Sequence, residues 1–268
     1  MNWKTAVSQI ERVYTAKGRA QEDQFSIEGI RLVERALRAG VRPEFVVIAE
    51  HVLKSPSYRM MALVELFQNE HIEQVFIPDS EMERLTNGRS LGGIVAALPK
   101  PKPVLLNDLL YEIDGSVVVT AVDIIDPGNT GAMIRTAHAS GCAAFIAVGR
   151  TDPFHPKAVR TSMGSLFKLP MIEYDSIDST ISDLANNGFL TVGTDLAGKR
   201  PLPDVNFQSK NTAILMGNEY EGLPHELIEK LDLTLTIPMP TGVDSFSVNA
   251  ATAVILYEIN RQKWNKKG

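Results

Sequence analysis

The chain has 268 residues, 44% hydrophobic and 22% charged, with 19 Gly and 15 Pro, a composition that excludes a fibrous or disordered protein and fits one small plus one medium domain. Its lone cysteine, Cys142, excludes an internal disulfide and, within the apolar stretch CAAFIAV, reads as a buried inert thiol. No apolar run approaches the roughly 18–20 residues that span a bilayer and the N-terminus lacks the apolar centre of a secretory signal, so the expectation is a cytoplasmic protein without a membrane partner.

In chain order, FSIEGIRLVERALRAG spaces Ile27, Ile30, Leu32, Val33, Ala36 and Leu37 as a helix does and stops at Gly40. A strand (FVVIAE), a helix (MALVELFQNEH), a strand (QVFIPD) and a Ser-capped helix (SEMERLTN) follow, and GGIVAALPKPKPVLL closes this α/β part with a strand and a proline-punctuated connection. The boundary is placed at residue 103, giving domains 1–103 and 104–268. Net charge is −5, at first sight poor for a nucleic-acid partner, but residues 1–103 hold 14 Lys/Arg against 13 Asp/Glu, whereas 104–268 hold 13 against 19. Lys17, Arg19, Arg31, Arg35, Arg38 and Arg42 cluster in front, and positions 31, 35, 38 and 42 follow helical spacing. A basic face and a solvated helix with Glu28 and Glu34 as intrahelical partners are both consistent with this pattern.

The second part alternates strands and helices: SVVVTAVD, the loop IIDPGNTG, the helix AMIRTAHASG, AAFIAVG, FLTVGTDL, TAILMG, the loop NEYEGLP, the helix PHELIEKL, LTLTIPM, and a C-terminal helix from about Ser245 to Gln262. Such alternation predicts a mostly parallel sheet covered on both faces, with ligands beyond the carboxyl ends of its strands. Three loops there carry the unusual residues. In the first, Pro127 and Gly128 form a turn and Asn129 reads as a cap, but Arg135 falls among apolar residues of a helix between two buried-type strands. A buried guanidinium needs an anionic partner, such as a nucleotide phosphate. In the second, Gly217 permits close backbone approach and Glu219 precedes a helix. In the third, Pro238, Pro240 and Gly242 force an irregular path before two candidate caps, Ser245 and Ser247.

Taken together, DPGNTGAMIRTAHASG, LMGNEYEGLP and IPMPTGVDSFSVNAATAVILYE resemble the three motifs of the SpoU (TrmH-like) family of RNA ribose 2'-O-methyltransferases, within the SPOUT superfamily. PKAVRTSMGSLFKLP resembles the family's pattern between motifs one and two. More loosely, KGRAQEDQFSIEGIRLVERAL and SLGGIVAAL look like the small N-terminal α/β substrate-binding domain of some members. The resemblance implies an α/β fold with a C-terminal trefoil knot, S-adenosylmethionine as methyl donor, structured RNA as substrate (rRNA ahead of tRNA), and a homodimer paired through the motif-one and C-terminal helices. It assigns Asn129, Arg135, Glu219 and Ser247 to catalysis and Thr194, Gly217, Ile237 and Phe246 to the cofactor. Lys17, Arg19, Arg31 and Arg35 are the candidate RNA contacts. One departure stands out: the family's Ser-Leu-Asn is here Ser245, Phe246 and Ser247, with an asparagine only at Asn249. Ser247 lacks the amide that both donates and accepts.

A guanidinium is a poor base, so the role expected for Arg135 is to grip the phosphate beside the target ribose and stabilise the developing alkoxide, while Asn129 orients it or the ribose and Glu219 fixes the loops. The alternative from another class is a catalytically silent RNA-binding or assembly protein on the same scaffold. A dinucleotide oxidoreductase lacks its glycine fingerprint, and the scattered His51, His71, His138, His155 and His225 offer no metal-ligand spacing, so no metal is expected.

Overall fold

Short apolar runs such as Val117–Val122, buried on both faces, form the central strands, and Asn2, Thr15, Ser57 and Asp126 cap four of the helices. The computed structural model describes residues 1–89, 91–109, 115–207, 211–242 and 244–264. They group into two compact units, residues 1–102 with 154–167, and residues 103–153 with 168–268.

The first unit begins with α1 (Trp3–Val13), α2 (Ala16–Glu22), β1 (Gln24–Glu28) and α3 (Ile30–Arg38). It continues through β2 (Phe45–Ala49), α4 (Glu50–Lys54), α5 (Tyr58–Asn69), β3 (Glu73–Ile77), α6 (Asp79–Leu85) and β4 (Ile94–Pro99). Its sheet runs β1-β4-β2-β3, antiparallel except where β2 meets β3. The continuous helix expected over 25–40 is broken. Residues 24–28 pair with β4, and Gly29, at φ +95°, turns the chain into α3 with its position against the Leu91 carbonyl leaving a Cβ only 3.0 Å. Two further expectations change here. Ser80 lies inside α6 and does not cap it, while Asp79 accepts from the backbone N–H of His51 at 3.0 Å. Arg42 lies outside α3 and pairs with Glu70 at 2.7 Å.

The second unit supplies β5 (Val117–Val122), α7 (Pro127–Ala139) and β6 (Ala144–Val148). The chain then contributes α8 (Pro156–Thr161) to the first unit, where α8 packs on β1 and the Phe154 ring lies 5.2 Å from that of Phe25, tilted by 55°. It returns for β7 (Met171–Tyr174), α9 (Ile177–Asn186), β8 (Leu190–Thr194), β9 (Arg200–Pro201), β10 (Thr212–Met216), α10 (His225–Ile228), β11 (Leu233–Thr236) and α11 (Val248–Trp264). These strands lie in the order β7-β6-β5-β10-β8-β11-β9, and every pairing is parallel. Val118, Ile146, Leu215, Phe189 and Leu184 sit in its core, each fully buried aliphatic or aromatic side chain contributing about 1.5–3 kcal/mol. Among the described residues no helix is long and apolar enough to cross a membrane, and no group of three or more His, Cys, Asp or Glu side chains could hold a metal ion.

From β5 the sheet grows one way to β6 and β7, and from the adjacent β10 it grows the other way to β8 and β11. The order reverses between β5 and β10. Loops leaving such neighbouring strand ends splay apart and open a crevice. In this chain those loops are the segments after residues 122 and 216.

Candidate active site

The first loop is set by its own sequence. Asp126 caps α7 by accepting from the Gly128 N–H at 2.9 Å, and Pro127 occupies the first helical position, where its missing N–H costs nothing. Asn129 is therefore not the cap. It is the third helical residue and donates from Nδ2 to Glu219 Oε1 at 2.9 Å. The other carboxylate oxygen accepts a long contact, 3.4 Å, from the Ile125 N–H. Glu219 thus ties the loop after β10 to the loop after β5.

The second loop closes on itself. Gly217 is so near the Gly222 backbone that a Cβ would lie 2.2 Å from the Gly222 carbonyl carbon. Asn218, 8% exposed, accepts from the Tyr220 N–H at 2.8 Å, an Asx turn, and donates to the Asp123 carbonyl at 3.2 Å. Asn218 was absent from the expected site, although an asparagine two residues before an N–H-bearing loop position and next to glycine is the usual sequence mark of that turn.

The third loop enters α11. Ser247 accepts from Ala250 N at 3.3 Å through its hydroxyl and from Ala251 N at 2.9 Å through its carbonyl, so it serves as the helix cap. Asn249, the asparagine nearest the aligned position, lies in the first turn of α11. Its Oδ1 accepts from Thr136 Oγ1 at 2.8 Å, which spends the side chain on joining α11 to α7.

These loops enclose a cavity of about 580 Å³, within the roughly 300–1,000 Å³ of small-molecule sites. Asn129, Glu219 and Ser247 line it, as do Thr194, Gly217, Ile237 and Phe246. The wall is apolar at Leu196, Met216 and Met239 and acidic at Asp195, Glu221 and Asp244. Apolar surface, close backbone and carboxylates, with no lysine or arginine among the described lining residues, fit a nucleoside that carries positive charge.

Arg135 departs from its expected burial. The face of α7 turned inward holds Thr130, Gly131, Met133, Ile134 and Ala137, and six residues at about 100° each put Arg135 far around the helix from Asn129. It is exposed and outside the cavity lining. In the first unit, Lys17, Arg31 and Arg35 are exposed, the last donating to the Met163 carbonyl. Arg19 is not a surface cation. It is 3% exposed and donates from Nη1 to the Val13 and Tyr14 carbonyls, both at 2.9 Å, where α1 leaves its last carbonyls unpaired. Glu28 lies in β1, outside α3, and Glu34 pairs with Arg59 at 2.7 Å, so neither is an intrahelical partner. Cys142 is buried, which pushes its thiol up to about 12 and keeps it protonated and unreactive.

An all-parallel sheet with three interlocked loops at its order reversal defines an α/β enzyme that holds a small ligand beyond its strand ends. The chain belongs to the SpoU rRNA methylase family, whose model matches residues 116–257, and residues 4–96 match the MRM3-like substrate binding domain. It is 29% identical over 250 residues, covering 93% of each chain, to the 23S rRNA (guanosine(2553)-2'-O)-methyltransferase RlmP of Bacillus subtilis. It is 30% identical to the 23S rRNA (guanosine-2'-O-)-methyltransferase RlmB of Acinetobacter baylyi, over 88% of this chain and 96% of that one. The SpoU methyltransferase AviRb of Streptomyces viridochromogenes in complex with AdoMet superposes with a TM-score of 0.86 at 26% identity, over 98% of this chain and 99% of that one.

Proposed function

We propose that this chain is an S-adenosylmethionine-dependent methyltransferase acting on the ribose 2'-hydroxyl of a guanosine in 23S rRNA. The observation that carries this reading is the Asn129–Glu219 link inside the three-loop cavity, in a chain similar over about nine-tenths of its length to enzymes named for that reaction. The bound donor supplies an activated methyl group. Gly217, Ile237 and Phe246 hold it against backbone, with Thr194 at the end of β8 beside them. Asn129 and Glu219 keep two loops in one arrangement, and that positioning supplies much of the rate. Arg135 grips the phosphate next to the target ribose and stabilises the negative charge growing on the attacked oxygen. Ser247 sets the third loop as the cap of α11.

The outward position of Arg135 and the exposed Val254, Tyr257 and Trp264 along α11 support a homodimer in which the α7 and α11 faces of two chains meet and Arg135 serves the shared site. Support for a knotted C-terminus comes from Gln262 near the end of α11, which accepts from Phe207 N at 2.9 Å and donates to the Val205 carbonyl at 2.8 Å, so the segment before β10 is tied across that helix.

The test is incubation with labelled S-adenosylmethionine and unmodified 23S rRNA, mapping label to sites newly resistant to alkaline cleavage. Label on one ribose is expected. Label on a base overturns the reaction, and donor binding by calorimetry without transfer establishes the silent scaffold instead. Arg135→Lys with full turnover and unchanged RNA affinity overturns the guanidinium role, and an active monomer in sedimentation overturns the dimer.

A further inference from the structure

Glu28 carries a deeply buried charge in the first unit, its side chain 3% exposed. Two guanidiniums converge on it. Arg89 Nη2 donates to Oε2 at 3.0 Å and Oε1 at 3.2 Å, and Arg160 Nη1 lies 3.4 Å from Oε2. The Tyr14 hydroxyl donates to the Leu85 carbonyl at 3.0 Å, and burial together with the Glu28 charge drives its pKa upward, so it adds no second negative charge.

One carboxylate neutralises one arginine, and Arg89 Nη2 already reaches both of its oxygens. The second arginine leaves a surplus positive charge. Both side chains are partly exposed, 36% and 30%, and Arg89 Nε is buried without a hydrogen-bond partner among the described residues. Arg35 extends the same surface: it donates to the carbonyl of Met163, three residues after Arg160, and its stem lies against Gly164.

We propose that Glu28 holds Arg89 and Arg160 as a cradle for a backbone phosphate of the RNA, an inference that rests on the rRNA reading above and adds residues to its substrate surface. Planar forks match phosphate oxygens, and a buried carboxylate that fixes two forks beforehand reduces the side-chain entropy lost on binding. Such a contact fixes register and carries no sequence information.

The experiment is filter binding of a 23S rRNA fragment over a salt series with the full chain and its Arg89→Gln, Arg160→Gln, Arg89→Lys and Arg160→Lys variants. Each glutamine variant is expected to lower the slope of log affinity against log salt by about 0.7–0.9, and each lysine variant to keep it. Lower melting temperatures with unchanged slopes in both glutamine variants overturn the cradle and leave an internal ion network. Independently of any variant, phenylglyoxal should modify Arg89 and Arg160 in the free protein and fail to do so with RNA bound. Equal modification in both states overturns the proposal. A wild-type chain that binds this RNA yet shows either negative result refutes the cradle alone, whereas one that neither binds nor methylates it refutes the rRNA reading and the cradle with it.

Discussion

The loops of the second unit and the cations of the first are two opposite ways of placing polar groups. Around the cavity, Asn129 donates to Glu219, Asn218 donates to the Asp123 carbonyl, and Gly217 leaves no room for a methyl group. In the first unit, long side chains such as Arg31 and Arg35 reach outward from α3, and only those tied to a carboxylate or carbonyl are fixed. Rigid, mutually bonded groups suit transition-state positioning, whereas mobile surplus charge suits attraction to phosphate over many contacts. The first arrangement fails sharply under single changes. The second fades in steps and with salt.

The sharpest way to break this contrast is Gly217→Ala. The added Cβ meets backbone at 2.2 Å and cannot be accommodated by a side-chain rotation, so about 1–3 kcal/mol of overpacking is expected. Calorimetry should find S-adenosylmethionine bound roughly 10- to 100-fold more weakly. Undiminished affinity would show that the loop is softer than its contacts imply. Asn129→Ala removes a hydrogen bond to a carboxylate, worth about 1.5–3 kcal/mol, and kcat should drop by about 10- to 100-fold with RNA affinity preserved. An equal loss of RNA affinity would erase the distinction between the two regions.

Changes that act on stability more than on turnover sharpen it. Arg19→Ala should lower stability to urea by about 1.5–3 kcal/mol, because two carbonyls lose a charged donor, yet leave the salt dependence of RNA binding where it was. A reduced slope would return Arg19 to the contact surface. Ser247→Ala should cost about 1 kcal/mol through the lost cap and Ser247→Asn only a few tenths, since both serine and asparagine cap well. Cys142 should resist thiol reagents at pH 8 in the folded protein and react once denatured, because a thiol pushed up to about 12 has almost no thiolate there. Rapid native labelling would contradict its burial.

The parallel sheet was legible because runs such as Val117–Val122 and Thr212–Met216 are apolar without alternation, the pattern of strands covered on both sides. The three loops were legible because glycine, proline and asparagine mark turns chemically. What stayed hidden depends on distant partners. Ile27, Ile30 and Leu32 satisfy helical spacing as well as they satisfy a strand followed by a helix, and only pairing with β4 decides. Arg135 sits beside apolar residues in sequence, but the phase of α7 is set by what packs on it, and that phase turns the guanidinium outward. Arg19 and Lys17 are alike in sequence, and the unpaired end of α1 draws in only the first.

The first unit draws on two stretches of chain, 1–102 and 154–167, separated by β5, α7 and β6. During synthesis its front stretch therefore waits: Phe25 gains the ring of Phe154, and Glu28 gains Arg160, only after residue 160 has left the ribosome. A truncation at the proline-rich connection near residue 102 would yield a half-built body whose β1 lacks α8 and Phe154, instead of a free-standing module. The maturation of the front body is thereby timed to follow the first strand, helix and strand of the body behind it.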